Sequence, residues 1–304
     1  MLGFVTRRLI QSAMTVFGVM LLTFVLFNIA AGDISAEYVP PEKGEVGRRQ
    51  GRHDHGLDKP WYAQFKDHLA NSVTFRGESY ATGEKLTSII ASRAGYSLAL
   101  TVPALVLGWV SAMVISCLVA YWHGTWIDRA GVLASVLGMC VPYLAYMILG
   151  QWLVFNIYPP AAWGLQNRAN IYLPIAISVI AGLGPSVRFY RTVILDQINQ
   201  DYVRTARAKG APLTTILFKH VLRNCMLPIL TNLVMAVPFL IMGSLLLERF
   251  FGIHGLGDLL IGSIASRDVP IITGLTYLTA LIYVIGLLIT DVLYGVFDPR
   301  VRLS

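Results

Sequence analysis

DYVRTARAKGAPLTTILFKHVLRNCMLP, residues Asp201 to Pro228, is a polar, basic segment rich in small residues, set between two long apolar stretches. A loop that only joined two membrane spans would need far fewer residues. Asp201 is expected to cap a helix beginning at Tyr202, and Tyr202, Ala206 and Gly210 then fall at i, i+4 and i+8 on one face. Thr205, Ala208 and Ala211 add further small side chains, which let another backbone approach closely. Arg204, Arg207 and Lys209 surround that face with positive charge. Gly210 suits a helix C-terminus and Pro212 the first turn of the next helix, so two short helices meeting at a tight corner are predicted. By charge alone the segment reads as a juxtamembrane loop that fixes topology and meets anionic lipid heads; by its small-residue face it reads as a docking element.

The flanking stretches set the class of molecule. Of 304 residues, 55% are hydrophobic and only 13% charged, with mean hydropathy +0.61, whereas soluble domains carry about 25% charged residues. Apolar runs approach the ~20 residues that cross a bilayer, without the alternating segments of a β-barrel. Six spans are predicted, at about 9–31, 96–120, 131–157, 171–190, 227–247 and 271–296. Arg7 and Arg8 before the first resemble the start of a signal peptide, but the run they precede is too long for one and reads as a retained span. With the N-terminus inside, twelve basic residues against five acidic ones fall on the cytoplasmic side, which accounts for the whole net charge of +7. That asymmetry predicts N-in and C-in. The chain then divides into 1–31, an external segment 32–95, and a five-helix core 96–304 that carries the cytoplasmic loop 191–226.

The external segment opens with loop-like composition. Trp61, Phe65 and Leu69 then recur at helical spacing after Pro60, predicting a short amphipathic helix against the outer leaflet or the protein's own rim. Pro103, Pro142, Pro174 and Pro238 lie in or near spans, as packing kinks or as parts of a moving path. Tyr158 to Trp163 reads as an interfacial turn.

Taken together, several stretches resemble one family. DYVRTARAKG, followed by RNCMLP, is similar to the cytoplasmic loop of ABC-importer permeases of the dipeptide/oligopeptide/nickel type. In the wider class this loop reads EAA, three residues, Gly, and later I-x-L-P. Here Thr205-Ala206 stand at the alanines, Gly210 at the glycine and Arg204 at the glutamate. The departures look like those of the peptide/nickel branch. FVTRRLIQS, GLDKPWYAQF, ERFFGIHGLGDLLIGSIASRDVPIITG and DVLYGVFDPR extend the likeness over most of the chain, least in 33–56.

The resemblance implies an all-α membrane protein with the type I ABC-importer permease fold in the bacterial inner membrane. It implies a second homologous permease, two ATP-binding subunits that hold ATP and Mg, a periplasmic or lipid-anchored solute-binding protein, surrounding lipid, and no nucleic acid. Residues 202–212 (Tyr202, Arg204, Thr205, Ala206, Arg207, Ala208, Lys209, Gly210, Ala211 and Pro212) would form the coupling helix and corner. Gly252, Gly255, Gly257, Arg267 and Asp268 would belong to a flexible external loop against which the binding protein docks.

The chain has no GxxxxGK[ST] phosphate loop, so energy comes from another subunit or an ion gradient. A stand-alone secondary transporter or channel is the alternative, and it predicts inverted repeats and intramembrane ion-binding carboxylates. A structural or enzyme-anchoring protein would not need the basic loop. His53-Asp54-His55, with His68, reads as a polar loop before a metal site. Cys117, Cys140 and Cys225 lack metal or disulfide spacing, and no nucleophile–base set points to catalysis. Glu248-Arg249 and Arg267-Asp268 read as interfacial ion pairs. Asp291 is the one acid at membrane depth, near the cytoplasmic end of the last span.

Overall fold

A computed structural model describes residues 2–30, 53, 58–157, 171–242 and 245–297. Among these the secondary structure is helical, apart from one isolated bridge between Glu78 and Lys85. Helix α1 (Leu2–Phe24) continues into a π-helical turn, Val25–Ala30. Then come α2 (Trp61–Thr74), α3 (Leu86–Tyr121), α4 (Trp126–Cys140), α5 (Tyr143–Ile157) and α6 (Tyr172–Ile198). Helix α7 (Asp201–Ala208) precedes a short turn, Leu213–Thr215, and a π-helical stretch, Ile216–Val221, that runs into α8 (Leu222–Met242). The chain closes with α9 (Leu245–Phe250), α10 (Leu256–Ala265) and α11 (Val269–Phe297).

Five helical stretches are long and apolar enough to cross a membrane, and a sixth is counted if α4 and α5 form one bent span. That bend is 97°, where the sequence predicts one rod over 131–157. Its cause is local. Proline disfavours the helical region for the residue before it, and Val141, before Pro142, is extended at φ −81°, ψ 120°. Helix α3 begins at Leu86, ten residues before the predicted span, because the helix extends beyond its apolar part.

Helices α3 and α6 form the central pair, and α4 packs on α6 from one side. Gly184 of α6 makes that close approach possible: a Cβ there would stand 2.8 Å from the Ser135 carbonyl oxygen and 3.2 Å from the Met139 nitrogen. Lipid gives apolar helices no hydrophobic reason to associate, so close backbone packing and interhelical hydrogen bonds hold them together. Ser116 supplies one such bond, donating to Val187 O at 3.1 Å from within the core. Pro103 and Pro185 both sit inside these central helices; Pro185 is a break that the span prediction passed over.

Helix α2 lies against α1 by its predicted apolar face. Phe65 packs edge-on to Phe24 at 5.1 Å and Phe17 at 6.0 Å, while Trp61 stays exposed. The protein's own rim, rather than lipid, receives that face. Pro60 is the N-cap, so the helix begins one residue later than expected. His68 is turned in against the Phe24 ring, and burial lowers the pKa of its imidazole. Asp54, His55 and the 158–163 turn lie outside the described residues, as does the end of DVLYGVFDPR.

Candidate functional site

Helix α7 follows α6 after only Asn199 and Gln200. The N-cap is Gln200; Asp201, expected to cap, is the first helical residue and makes no capping bond. It contributes charge instead: an acid in the first turn and Arg207 in the last both complement the helix dipole. The C-terminus is closed by a Schellman motif. The Gly210 N–H donates to Arg207 O at 2.9 Å and the Ala211 N–H to Ala206 O at 3.1 Å, with Gly210 left-handed at φ +78°. The Pro212 carbonyl then accepts the first bond of the next helical turn from Ile216. The predicted corner is present.

Its facing differs from the expectation. Val203, 1% exposed, is the anchor, packed among buried residues that include Ile194, Ile216 and Val221. Tyr202 and Ala206 lie against the same core, and the Tyr202 hydroxyl donates to Gln197 Oε1 at 3.0 Å. Two of the three residues read as a free small face therefore point into the protein. The burial of Val203 decides this, because helical geometry places Tyr202 and Ala206 on its side. Arg204, Thr205, Arg207, Ala208, Lys209, Gly210 and Pro212 are exposed, and Ala211 is half-buried. What remains outside is a cationic ridge with small residues in it.

A second polar cluster, a largely buried ion pair, fixes α6 to the start of α4. Asp128 accepts from Arg191 Nη2 at 2.6 Å and Nε at 2.7 Å. It also accepts from the Gly124 N–H at 3.0 Å and lies 2.9 Å from His123 Nδ1. Asp291 pairs with Arg8 at 3.1 Å, joining α11 to α1.

Around Ser97 of α3 and at the start of α11 the structure corrects four expectations. Glu248, fully buried, is not paired with Arg249. Its Oε1 accepts from Ser97 Oγ at 2.7 Å, and its Oε2 from the Gly257 and Asp258 N–H groups at 2.8 and 3.1 Å. Ser97 Oγ in turn accepts from the Leu256 N–H at 2.8 Å. Helix α10 has glycine at its N-cap and no capping side chain of its own; Glu248 and Ser97 satisfy its orphan donors from outside. Burial pushes the Glu248 carboxyl above its usual range, opposed by these hydrogen bonds. Arg249 pairs with Asp258 at 3.0 Å.

Gly255 and Gly257, read as flexible, are buried because the Glu248 carboxylate occupies the space a Cβ would take. Asp268, 1% exposed, is unavailable for docking. It accepts from Ser79 Oγ and from the Tyr80 and Ala81 N–H groups, tying residues 79–81 to the start of α11. Of the expected docking residues, Gly252 and Arg267 are exposed. Glu248 and Ser97 escaped sequence reading because 151 positions separate them, and no local spacing marks the pair.

Residues 104–303 match the family described as the binding-protein-dependent transport system inner membrane component. The chain is similar to the oligopeptide transport system permease protein AppB of Bacillus subtilis (strain 168), 32% identical over 315 residues covering 99% of this chain and 100% of the relative. It is equally similar to the glutathione transport system permease protein GsiC of Escherichia coli (strain K12), 32% identical over 307 residues and 99% of each chain. With several apolar spans and a likeness that runs end to end, the chain belongs to the family of binding-protein-dependent ABC-importer permeases, multi-pass transporter subunits of the bacterial inner membrane.

Proposed function

We propose that this chain is one permease subunit of an ATP-driven importer of di- or oligopeptides or a related small solute. It works with a second permease, two ATPase subunits that carry ATP and Mg, and a solute-binding protein on the external side. Residues 201–212 form the coupling element, and the exposed ridge of Arg204, Thr205, Arg207, Ala208 and Lys209 seats in a cleft of one ATPase. Closure of the ATPases moves α7, and α6 carries that motion into the spans, a rigid-body change that needs a stiff lever and a tight socket.

The observation that carries this reading is a cationic helix fixed at both ends. Val203 pins it to the core and the Gly210 corner stops it, leaving a stiff projection whose small residues on top are exposed among the described residues. The peptide class is supported by the oligopeptide and glutathione relatives. The test is Ala208→Trp together with Arg204→Glu, both at exposed positions. The variant is expected to fold and insert normally but to lose ATPase co-purification and stimulation. Uptake that persists in vesicles without the ATPase, driven by an ion gradient, would overturn the proposal in favour of a stand-alone transporter.

A further inference from the structure

Between α3, α6 and α8 lies an open groove of about 390 Å³. It runs along α6 from Ser178 to Tyr190, which at 1.5 Å per residue is roughly 18 Å, more than half of a ~30 Å hydrocarbon layer. The groove is therefore at membrane depth, yet hydroxyl and amide groups line it: Thr101, Ser178, Ser186, Tyr190 and Asn232. Polar groups at that depth face a bundle interior or a watery path rather than lipid.

Thr101 Oγ1 donates to Ser97 O at 2.8 Å and Ser178 Oγ lies 3.0 Å from the Tyr143 hydroxyl, but two other lining groups are held less well. The Tyr190 hydroxyl reaches Asn232 Oδ1 only at 3.4 Å. Trp109, also on the lining, has a buried indole Nε1 that finds no acceptor among the described residues. An unmade bond of this kind costs about 1–3 kcal/mol unless something else supplies the acceptor. Among the described residues the lining has no carboxylate, guanidinium, ammonium or imidazole, so these offer donors and acceptors without fixed charge. Such a surface suits the amide groups of a peptide backbone and is unsuited to holding a free cation or phosphate.

We infer that this groove is the chain's half of the solute path and contacts short peptides through neutral hydrogen bonds to their amide groups. The inference rests on the importer reading above and adds the residues and the chemistry. Glycine at two lining positions makes it testable. A Cβ added at Gly108 or Gly182 meets nothing within 4 Å, so a side chain introduced there starts clear of its neighbours and can occupy the groove.

The experiment uses the complete transporter in lipid nanodiscs, with Cys117, Cys140 and Cys225 replaced, and a membrane-impermeant sulfonated methanethiosulfonate as probe. The reactive thiolate forms in water and not in lipid, so Gly182→Cys and Asn232→Cys are expected to react at least about tenfold faster than Ile180→Cys. Ile180 is exposed on the same helix but does not line the groove. Trialanine should slow the labelling of Asn232→Cys, and its backbone N-methylated counterpart should not. Adding Gly182→Trp should block that labelling with the ATPase still bound. Labelling of Gly182→Cys and Asn232→Cys as slow as that of Ile180→Cys would place the groove against lipid, and loss of assembly with Gly182→Trp would make it a packing surface; either overturns the inference. Equal protection by both peptides overturns amide recognition. A reactive, protectable groove in a protein whose uptake needs no ATPase would sink the importer reading alone.

Discussion

At Glu248, a carboxylate does the capping that the α10 sequence cannot do for itself. Removing it strands the Gly257 and Asp258 N–H groups and the Ser97 hydroxyl in a buried site. A buried group left unsatisfied costs about 1–3 kcal/mol, so Glu248→Ala is expected to destabilise the protein by several kcal/mol, read as a lower Tm. Glu248→Gln keeps an acceptor for the two N–H groups, and its amide can donate to Ser97 Oγ, so most of that loss is recovered. The variants also differ in pH dependence. A carboxyl whose folded pKa is raised binds its proton more tightly in the folded protein than in the unfolded chain. Its contribution is full below the unfolded value of about 4.3 and is lost as pH rises through the folded one. Wild-type Tm should therefore fall relative to Glu248→Gln as pH rises through that window. Parallel Tm profiles for the two would show that the carboxyl is not held above its usual range.

At the scale of single elements, the corner after α7 was readable from residue types alone, since only glycine takes φ +78° without strain. Gly210→Ala forces a side chain into the left-handed region at about 1–2 kcal/mol, although nothing lies within 4 Å of the new Cβ. The expected result is faster amide exchange confined to residues 201–212, weaker ATPase stimulation and an almost unchanged Tm. Uniformly faster exchange would mean the corner supports the whole fold. Other features were less legible. Periodicity placed Tyr202 and Ala206 on one face but gave no sign of which side that face turns to, because their sizes suit a socket or a core equally. Pro142 was seen, but hydropathy averages over a window and carries no direction, so a 97° bend is invisible to it. The pre-proline restriction on Val141 was the one available signal. Glycine spacing in 252–257 suggested mobility, whereas Gly255 and Gly257 are small to admit a side chain from another helix.

Across the whole molecule, the order of the long apolar helices followed from hydropathy, and the ties between distant helices did not. Those ties sit along α3. Ser97, in its first third, binds Glu248, and the chain turns after Tyr121 into the Asp128 cluster, roughly 36 Å away at the helical rise. On the proposed mechanism, force on α7 would enter α6 across the two residues that join them, and Arg191 on α6 would pass it to α4 through Asp128. Cutting this pair should separate ATP hydrolysis from transport. Arg191→Ala leaves a buried carboxylate without its guanidinium, which costs about 3–5 kcal/mol. Arg191→Ala with Asp128→Ala removes both charges and should recover much of that stability. If the pair only stabilises the fold, the double variant regains peptide uptake as it regains Tm. If it links the helices, as the geometry here implies, the double variant is stable, binds its ATPase and hydrolyses ATP, yet moves less peptide per ATP than the wild type.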